Sequence, residues 1–142
     1  MIVAGIDASP TAKEALRAAL YEATLRGTRL RAVHAWSRVA PVAMTGPGYV
    51  GAFDIRAVQH EAESTLRTIV RTVAGDRAAQ IEQVLAEGPA GEAIIEHARD
   101  AELIVVGSRG LGAFSGMVLG SVSQYVLHHA RCPVLVIPHV PA

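Results

Sequence analysis

Cysteine is almost absent from this chain of 142 residues, in which Cys132 is the single example. One cysteine cannot close an intrachain disulfide, and it supplies too few thiolates for a cysteine-based zinc site. Long apolar runs are also missing, because no stretch reaches the roughly 18 residues that a membrane-spanning helix requires. The opening residues, MIVAGIDASP, have neither the basic start nor the apolar stretch of a secretory signal. We therefore expect a cytoplasmic protein.

An excess of charge of either sign is missing as well. The 13 Lys and Arg residues balance the 13 Asp and Glu residues, so the formal net charge is zero. Such a chain is poorly suited to a polyanionic partner, and we predict that it binds neither nucleic acid nor a membrane.

Hydrophobic residues make up 51% of the chain, which is enough for a large core. The length suits one domain, which we expect to span residues 1–142.

Short apolar runs alternate along the chain with stretches of helical periodicity. The apolar runs predict strands at 2–6, 30–36, 81–85, 103–106 and 134–137. The i, i+3, i+4 spacing of apolar residues predicts four helices, which begin after Ser9-Pro10, at Asp54, after Gly88-Pro89 and at Ser121. Glycines at 27 and 75 are expected to end the first two. This alternation predicts a doubly wound, Rossmann-like α/β fold with a five-stranded parallel sheet and helices on both faces.

Two loops of this fold are candidates for a ligand site. Ligands bind beyond the carboxyl ends of the strands in such sheets, at the point where the strand order reverses. That rule selects the residues after the first strand, Asp7-Ala8-Ser9, and those from Gly107 onward, after the fourth. The stretch 37–53, rich in glycine and proline, is predicted to be a long loop whose role stays open.

A glycine-rich segment, GSRGLGAFSGMVLGS, connects the fourth strand to the last helix. It spans residues 107–121 and holds five of the chain's 13 glycines. Successive amides in such a turn form a nest that binds anions, and a helix that starts at Gly120-Ser121 adds free N–H groups and a positive dipole end. Ser121 either caps this helix or donates its hydroxyl to a phosphate, and Ser123 is a second donor. The segment predicts phosphate binding, with a plain surface loop as the alternative.

Two familiar phosphate-binding loops do not fit this segment. A Walker A loop needs GxxxxGK[ST], and the segment contains no lysine. The dinucleotide pattern GxGxxG fails because Gly110-Leu111-Gly112 continues to Ser115, and because it follows the fourth strand rather than the first. A P-loop phosphotransferase and a dinucleotide-binding protein are therefore not supported.

The pattern that does fit is G-x2-G-x9-G-[ST], filled by Gly107, Gly110, Gly120 and Ser121. Together with IDASP after the first strand, HAW at 34–36 and CPVLVIP near the end, it resembles the universal stress protein family over essentially the whole chain. The resemblance implies the strand order 3-2-1-4-5. It also implies that the chain binds ATP, because family members with this glycine motif typically do. Mg²⁺ is expected on the phosphates, since no lysine neutralises them.

The same resemblance implies which residues surround the nucleotide. Gly5 and Asp7 would lie near the adenine and ribose, and Ala35 near the adenine. The ribose and phosphates would be wrapped by Gly107, Ser108, Arg109, Gly110, Leu111, Gly112 and Ala113. The phosphates would be held by Gly120, Ser121, Val122 and Ser123. Ala113 departs from the family pattern, in which glycine is common at this position, and its methyl group would narrow the loop.

Two charged residues of this set have a second reading. Asp7 is expected to contact the ligand because of its place at the switch point, but it also suits an Asx turn that leads into Ser9-Pro10. Arg109 suits a phosphate contact and a solvated loop charge equally well.

Catalytic and metal-ligating patterns are missing from the sequence. No GxSxG elbow is present, and Glu92 and Glu96 stand one helical turn apart, as on a solvated face. No two of the six histidines are spaced as i, i+4 or HxH, and His34 is expected to pack rather than ligate a metal. Cys132 is expected to be a small packing residue. We predict no catalytic residue, no metal held by side chains alone, and at most slow ATP hydrolysis.

The last strand is flanked by Pro133 and Pro138, which suits the edge of a sheet. Exposed apolar edge strands tend to pair, and the resemblance implies a homodimer through Val134–Ile137.

The glycine motif and the family resemblance together predict a regulatory, nucleotide-binding stress-response protein. One alternative is an interaction module of the same fold with a vestigial glycine loop. Another is an enzyme that forms adenylates, although no SGGxDS, HxGH or KMSKS signature is present.

Overall fold

Strands and helices alternate strictly in the computed structural model, which describes residues 1–38, 47–48, 54–110 and 115–140. The strands are β1 (Ile2–Ile6), β2 (Leu30–Trp36), β3 (Glu82–Glu87), β4 (Leu103–Gly107) and β5 (Val134–Ile137). The helices are α1 (Pro10–Arg26), α2 (Ile55–Ala74), α3 (Ala90–His97) and α4 (Ser121–His129), and a 3-10 helix (Gly75–Gln80) follows α2. No helix in these ranges is long and apolar enough to cross a membrane.

All five strands are parallel, and they lie in the order β3-β2-β1-β4-β5. This confirms the doubly wound fold and the strand order that the sequence predicts. The order reverses between β1 and β4, so their carboxyl ends stand side by side. β5 pairs with β4 at the sheet edge, where Gly107 is opposite Ile137, and each of its four residues is half-buried. The predicted edge position is confirmed.

The predicted N-cap of α1 at Ser9 is confirmed, as are the predicted ends of α1 and α2 at Gly27 and Gly75. Ser9 is the N-cap of α1, where its side chain accepts a hydrogen bond from the amide of Ala12, and Gly27 ends the helix with a left-handed φ of 60°. The carboxylate of Asp54 accepts hydrogen bonds from the amides of Arg56 and Ala57 at the start of α2. These caps depend on neighbouring residues only, which explains why the sequence reveals them.

The third strand differs from its prediction at 81–85, because it runs from Glu82 to Glu87. Its extra length comes from β2, which pairs with it up to Trp36 opposite Glu87. The 3-10 helix was not predicted, since Gly75–Gln80 has no apolar periodicity. Most of the predicted loop at 37–53 lies outside the described residues.

The core is divided between the two faces of the sheet. Alternate residues of β1, such as Ile2 and Ala4, pack under α1 and α2, whereas Val3 packs on the opposite face under α3 and α4. Gly5 points to that second face. A Cβ at this position would lie 2.5 Å from Cδ1 of Ile94 and 3.2 Å from Cγ1 of Val106. Glycine at position 5 therefore allows α3 to approach the sheet.

Gly5→Ala is expected to destabilise the protein by about 1–3 kcal/mol, because the new methyl group overpacks a buried contact with Ile94. Urea unfolding measures the loss. Ile94→Val removes the clashing Cδ1 atom, so the double variant should lose less than the sum of the two single losses. A Gly5→Ala protein as stable as the wild type would contradict this packing argument.

Candidate functional site

A cavity of about 200 Å³ lies beyond the carboxyl ends of β1 and β4. It occupies the switch point of the sheet, as predicted. Its walls come from the ends of β1, β2 and β4, the first residues of α1, α3 and α4, and part of the glycine segment. Thus the two loops that the sequence selects meet at one site.

One end of the cavity is apolar. Val33 and Ala35 line it from β2, Val106 from β4, and Ile94 from α3, with Gly5 beside them. Gly5 and Ala35 have little or no side chain, and both are partly exposed. Such a surface suits a flat, weakly polar ring system.

Beyond the strand ends, the lining includes charged and polar residues, a part of the cavity that we call its polar end. Asp7, Arg109 and Ser121 belong to it. Oδ1 of Asp7 accepts a hydrogen bond from the amide of Ser9 at 2.8 Å, which is the predicted Asx turn. Oδ2 of the same carboxylate lies 2.7 Å from where a Cβ at Gly110 would stand. Glycine at 110 therefore permits Asp7 and the glycine segment to approach closely.

The N-terminus of α4 supplies amides to the same end. Gly120 is the N-cap and Ser121 is the first helical residue, so the alternative that Ser121 caps α4 is wrong. Because Gly120 N–H donates to Ser108 O at 2.6 Å, it is not one of the predicted free groups. The amides of Ser121, Val122 and Ser123 have no acceptor within the helix, and all three residues line the cavity. An anion at this point would also meet the positive end of the helix dipole.

The two buried serines of the predicted set, Ser108 and Ser123, form hydrogen bonds with backbone groups. Ser123 is 2% exposed. Its hydroxyl lies within donating distance of two carbonyl oxygens, Ser108 O at 3.0 Å and Gly120 O at 2.9 Å. Ser108 is 6% exposed and is not among the described residues that line the cavity. Its amide donates to Ile137 O, and its Oγ accepts from the amide of His139. Both serines therefore hold the backbone together in this structure.

The remaining predicted site residues fall into two groups. Gly107 lines the cavity, and a Cβ there would lie 2.7 Å from Cγ2 of Thr11, so glycine lets α1 pack against the end of β4. Leu111, Gly112 and Ala113 lie outside the described residues, and their predicted contacts stay predictions.

Outside the two selected loops, sequence reasoning missed several lining residues, namely Ile6, Ala12, Val33, Ala90, Ile94 and Val106. The start of α3 is the most informative of these omissions. Because α3 follows the carboxyl end of β3, its first residues must lie at the same edge of the sheet as the cavity. The turn residues Gly88-Pro89, which directly precede Ala90, could have indicated from the sequence that α3 begins at this edge.

The other predicted roles are structural. His34 packs in β2, with Nδ1 2.8 Å from Ile6 O. Glu92 and Glu96 are exposed on α3. Within the described ranges, no group of three or more His, Cys, Asp and Glu side chains is placed to hold a metal ion.

Burial raises the pKa of the Cys132 thiol, and a hydrogen bond with the backbone of Ile104 offsets only part of this effect. A higher pKa means less thiolate at neutral pH, so iodoacetamide at pH 7 should alkylate the folded protein more slowly than an unstructured cysteine peptide. Mass spectrometry follows the reaction, and unfolding in urea should restore the peptide rate. Alkylation of the folded protein at or above that rate would show an activated thiol.

Comparison with known proteins finds a family model and sequence relatives that name the same family. The model of the universal stress protein family matches residues 1–138. Universal stress protein Rv2005c of Mycobacterium tuberculosis is 41% identical over 140 residues, which are 95% of this chain and 44% of that protein. The chain thus spans about half the length of this relative. A universal stress protein of Thermus aquaticus is 36% identical, and the match covers 96% of both chains.

Solved structures agree with these relatives. UspA from Lactobacillus plantarum has a TM-score of 0.75 and 25% identity, and the match covers 96% of this chain and 95% of that one. A universal stress protein in complex with cAMP has a TM-score of 0.67 and 25% identity, over 99% and 97%. The universal stress protein of Archaeoglobus fulgidus in complex with dAMP has a TM-score of 0.65 and 28% identity, over 96% and 95%.

Proposed function

This chain belongs to the universal stress protein family, and we propose that it binds an adenine nucleotide in the cavity beyond β1 and β4. The ligand we propose is ATP with Mg²⁺, and the role is regulatory rather than catalytic. The observation that carries the proposal is the division of one cavity into an apolar end and an end formed by a helix N-terminus. Complexes of two similar proteins with cAMP and dAMP support the same ligand class.

The two ends match the two halves of a nucleotide. The apolar end, with Val33, Ala35 and Ile94, suits the adenine ring. The amides at the start of α4 and the guanidinium of Arg109 suit the phosphates, because a helix N-terminus and an arginine both favour anions and both line the cavity. The ribose would then lie between them, beside Asp7.

Mg²⁺ fits this site only as a partner of the phosphates. Asp7 is the one carboxylate among the described residues that line the cavity. Mg²⁺ usually keeps several waters and takes its remaining ligands from one or two carboxylates and the substrate phosphates. When bound, it would neutralise phosphate charge, while Arg109 and the α4 amides orient the phosphates.

The regulatory role is part of the proposal. Phosphoryl transfer needs a residue that orients the nucleophile. Asp7 is the one acidic side chain among the described residues that line the cavity, and we propose that it contacts the ribose instead. We propose that nucleotide binding changes the conformation of the glycine segment. We propose that it also changes a surface that a second copy of the chain or another protein contacts. The half-buried edge strand β5 is the surface through which we propose a homodimer.

The purified protein tests this proposal directly. It is denatured, any released small molecule is identified by mass spectrometry, and ATP, AMP and cAMP are then titrated by calorimetry with and without Mg²⁺. Co-purified or titratable adenine nucleotide is the expected result. A folded protein that binds none of them would contradict the proposal and favour an interaction module. Product formed over many turnovers would instead identify an ATPase.

A further inference from the structure

Ser108 links the nucleotide cavity to the exposed segment that follows β5, residues 138–140. Its carbonyl accepts hydrogen bonds from the amide of Gly120 at 2.6 Å and from the hydroxyl of Ser123 at 3.0 Å, both at the start of α4. On its other side, its amide donates to Ile137 O at 2.7 Å, and its Oγ accepts from the amide of His139 at 2.9 Å. One buried residue thus bonds to α4 and to the chain beyond β5.

The α4 side of this link determines where the candidate phosphate donors stand. Gly120 is the N-cap of α4, and the amides that follow it line the cavity. A displacement of the Ser108 peptide would therefore move the start of α4, and with it the amides of Ser121 and Val122. Ser108 itself is not among the described residues that line the cavity, so its effect on a ligand is indirect, through the start of α4 and through its lining neighbours Gly107 and Arg109.

The β5 side of the link reaches the surface. His139 and Val140 are exposed, and Val140 is 79% exposed. The β4–β5 ladder pairs residues only up to Gly107 opposite Ile137, so the bond from the His139 amide to Oγ of Ser108 fixes the chain beyond the sheet. A second contact, 3.5 Å between Nδ1 of His139 and Oγ1 of Thr11, holds the same segment against the start of α1.

We propose that Ser108 is a positioning residue through which nucleotide occupancy and the order of segment 138–140 are coupled. The proposal rests on the proposed nucleotide site. Because coupling between two equilibria is reciprocal, a ligand that fixes the start of α4 also protects the His139 amide, and release of that amide weakens the ligand. This role is separate from the ligand contact that the family resemblance implies for Ser108.

Two variants break the same hydrogen bond from opposite sides. His139→Pro removes the donor amide, whereas His139→Ala keeps it and loses only the imidazole. Ser108→Ala removes the acceptor Oγ. We expect His139→Pro and Ser108→Ala each to weaken AMP binding by roughly three- to tenfold, the effect of one hydrogen bond. The double variant should bind no more weakly than either single variant, because both remove one interaction.

Hydrogen exchange of the ligand-free protein supplies a second measurement. The Gly120 amide should exchange faster in both variants than in the wild type, while the Val105 amide in the core of β4 should be unchanged. Such a local effect distinguishes positioning from a general loss of stability. In the wild type, AMP should slow exchange of the His139 amide.

The possible outcomes test the coupling through Ser108 separately from the proposed binding of a nucleotide. Additive losses in the double variant, or an equal loss in His139→Ala, would overturn the link through Ser108 Oγ. Normal Gly120 exchange in His139→Pro would also overturn it. If the wild type binds no nucleotide, the proposed function fails, and Gly120 exchange in the ligand-free variants decides alone whether Ser108 joins the two elements.

Discussion

Gly120→Glu is expected to weaken nucleotide binding by roughly 100-fold or more, because it places a carboxylate where we propose the phosphates bind. Two like charges about 4 Å apart repel by about 4 kcal/mol in a partly screened site. Gly120 is the N-cap of α4 and lines the cavity, so the new side chain starts beside the amides of Ser121 and Val122. Calorimetric titration of AMP and ATP measures the loss.

The structure also provides controls for this change. Gly120 has a φ of −73°, which any residue adopts. A Cβ there would lie 3.4 Å from Cα of Arg109 and 3.5 Å from Gly110 N and Ser108 O, which are ordinary to slightly tight contacts. Gly120→Ala should therefore fold and bind within a few-fold of the wild type.

Gly120→Gln separates charge from size. It matches the volume of glutamate without the charge, so it should bind more weakly than the alanine variant and clearly more tightly than the glutamate variant. If the folded Gly120→Glu protein binds ATP with unchanged affinity, the proposed site is wrong. If glutamine and glutamate lower the affinity equally, blockage rather than charge is responsible, and the phosphates need not lie at α4.

Local signals explain which parts of this fold the sequence predicts. The bounds of β1 and β5 and the caps at Ser9 and Gly27 follow from runs and turn residues close together in the chain. The added residues of β3 do not, because they are strand only through pairing with β2. The hydrogen bond from Gly120 to Ser108 is similarly invisible, since no local pattern indicates which acceptor an N-cap amide will find.

The candidate site shows the same division. The glycine spacing predicts Gly107, Gly110 and Gly120 as places of close approach, and the structure brings all three to the cavity. Ile94 was not predicted, because its contact with the position of Gly5 depends on how α3 packs across the sheet. Ser108 is buried, whereas the next residue, Arg109, lines the cavity, as expected where side chains alternate in direction along an extended chain.

Asp7 provides the second large expected effect, because two roles compete for the same side chain. Oδ1 accepts the Ser9 amide, which suffices to explain an aspartate at this turn. We nevertheless propose that the carboxylate also accepts hydrogen bonds from the ribose hydroxyls. Asp7→Ala should then weaken AMP binding by roughly 10- to 100-fold, the range for hydrogen bonds to a charged group. Calorimetry without divalent cations measures this loss free of any effect of a metal ion held near the carboxylate.

Asp7→Asn distinguishes the two roles, because its amide oxygen still accepts the Ser9 amide while the negative charge is lost. A role confined to the turn predicts normal AMP binding by this variant, whereas a ribose contact predicts a clear loss. The 2′,3′-dideoxy analogue of AMP completes the cycle, since it lacks the hydroxyls that would donate to the carboxylate. It should bind the wild type more weakly than AMP, and it should bind Asp7→Ala about as well as AMP does. Equal discrimination by both proteins would place the ribose away from Asp7.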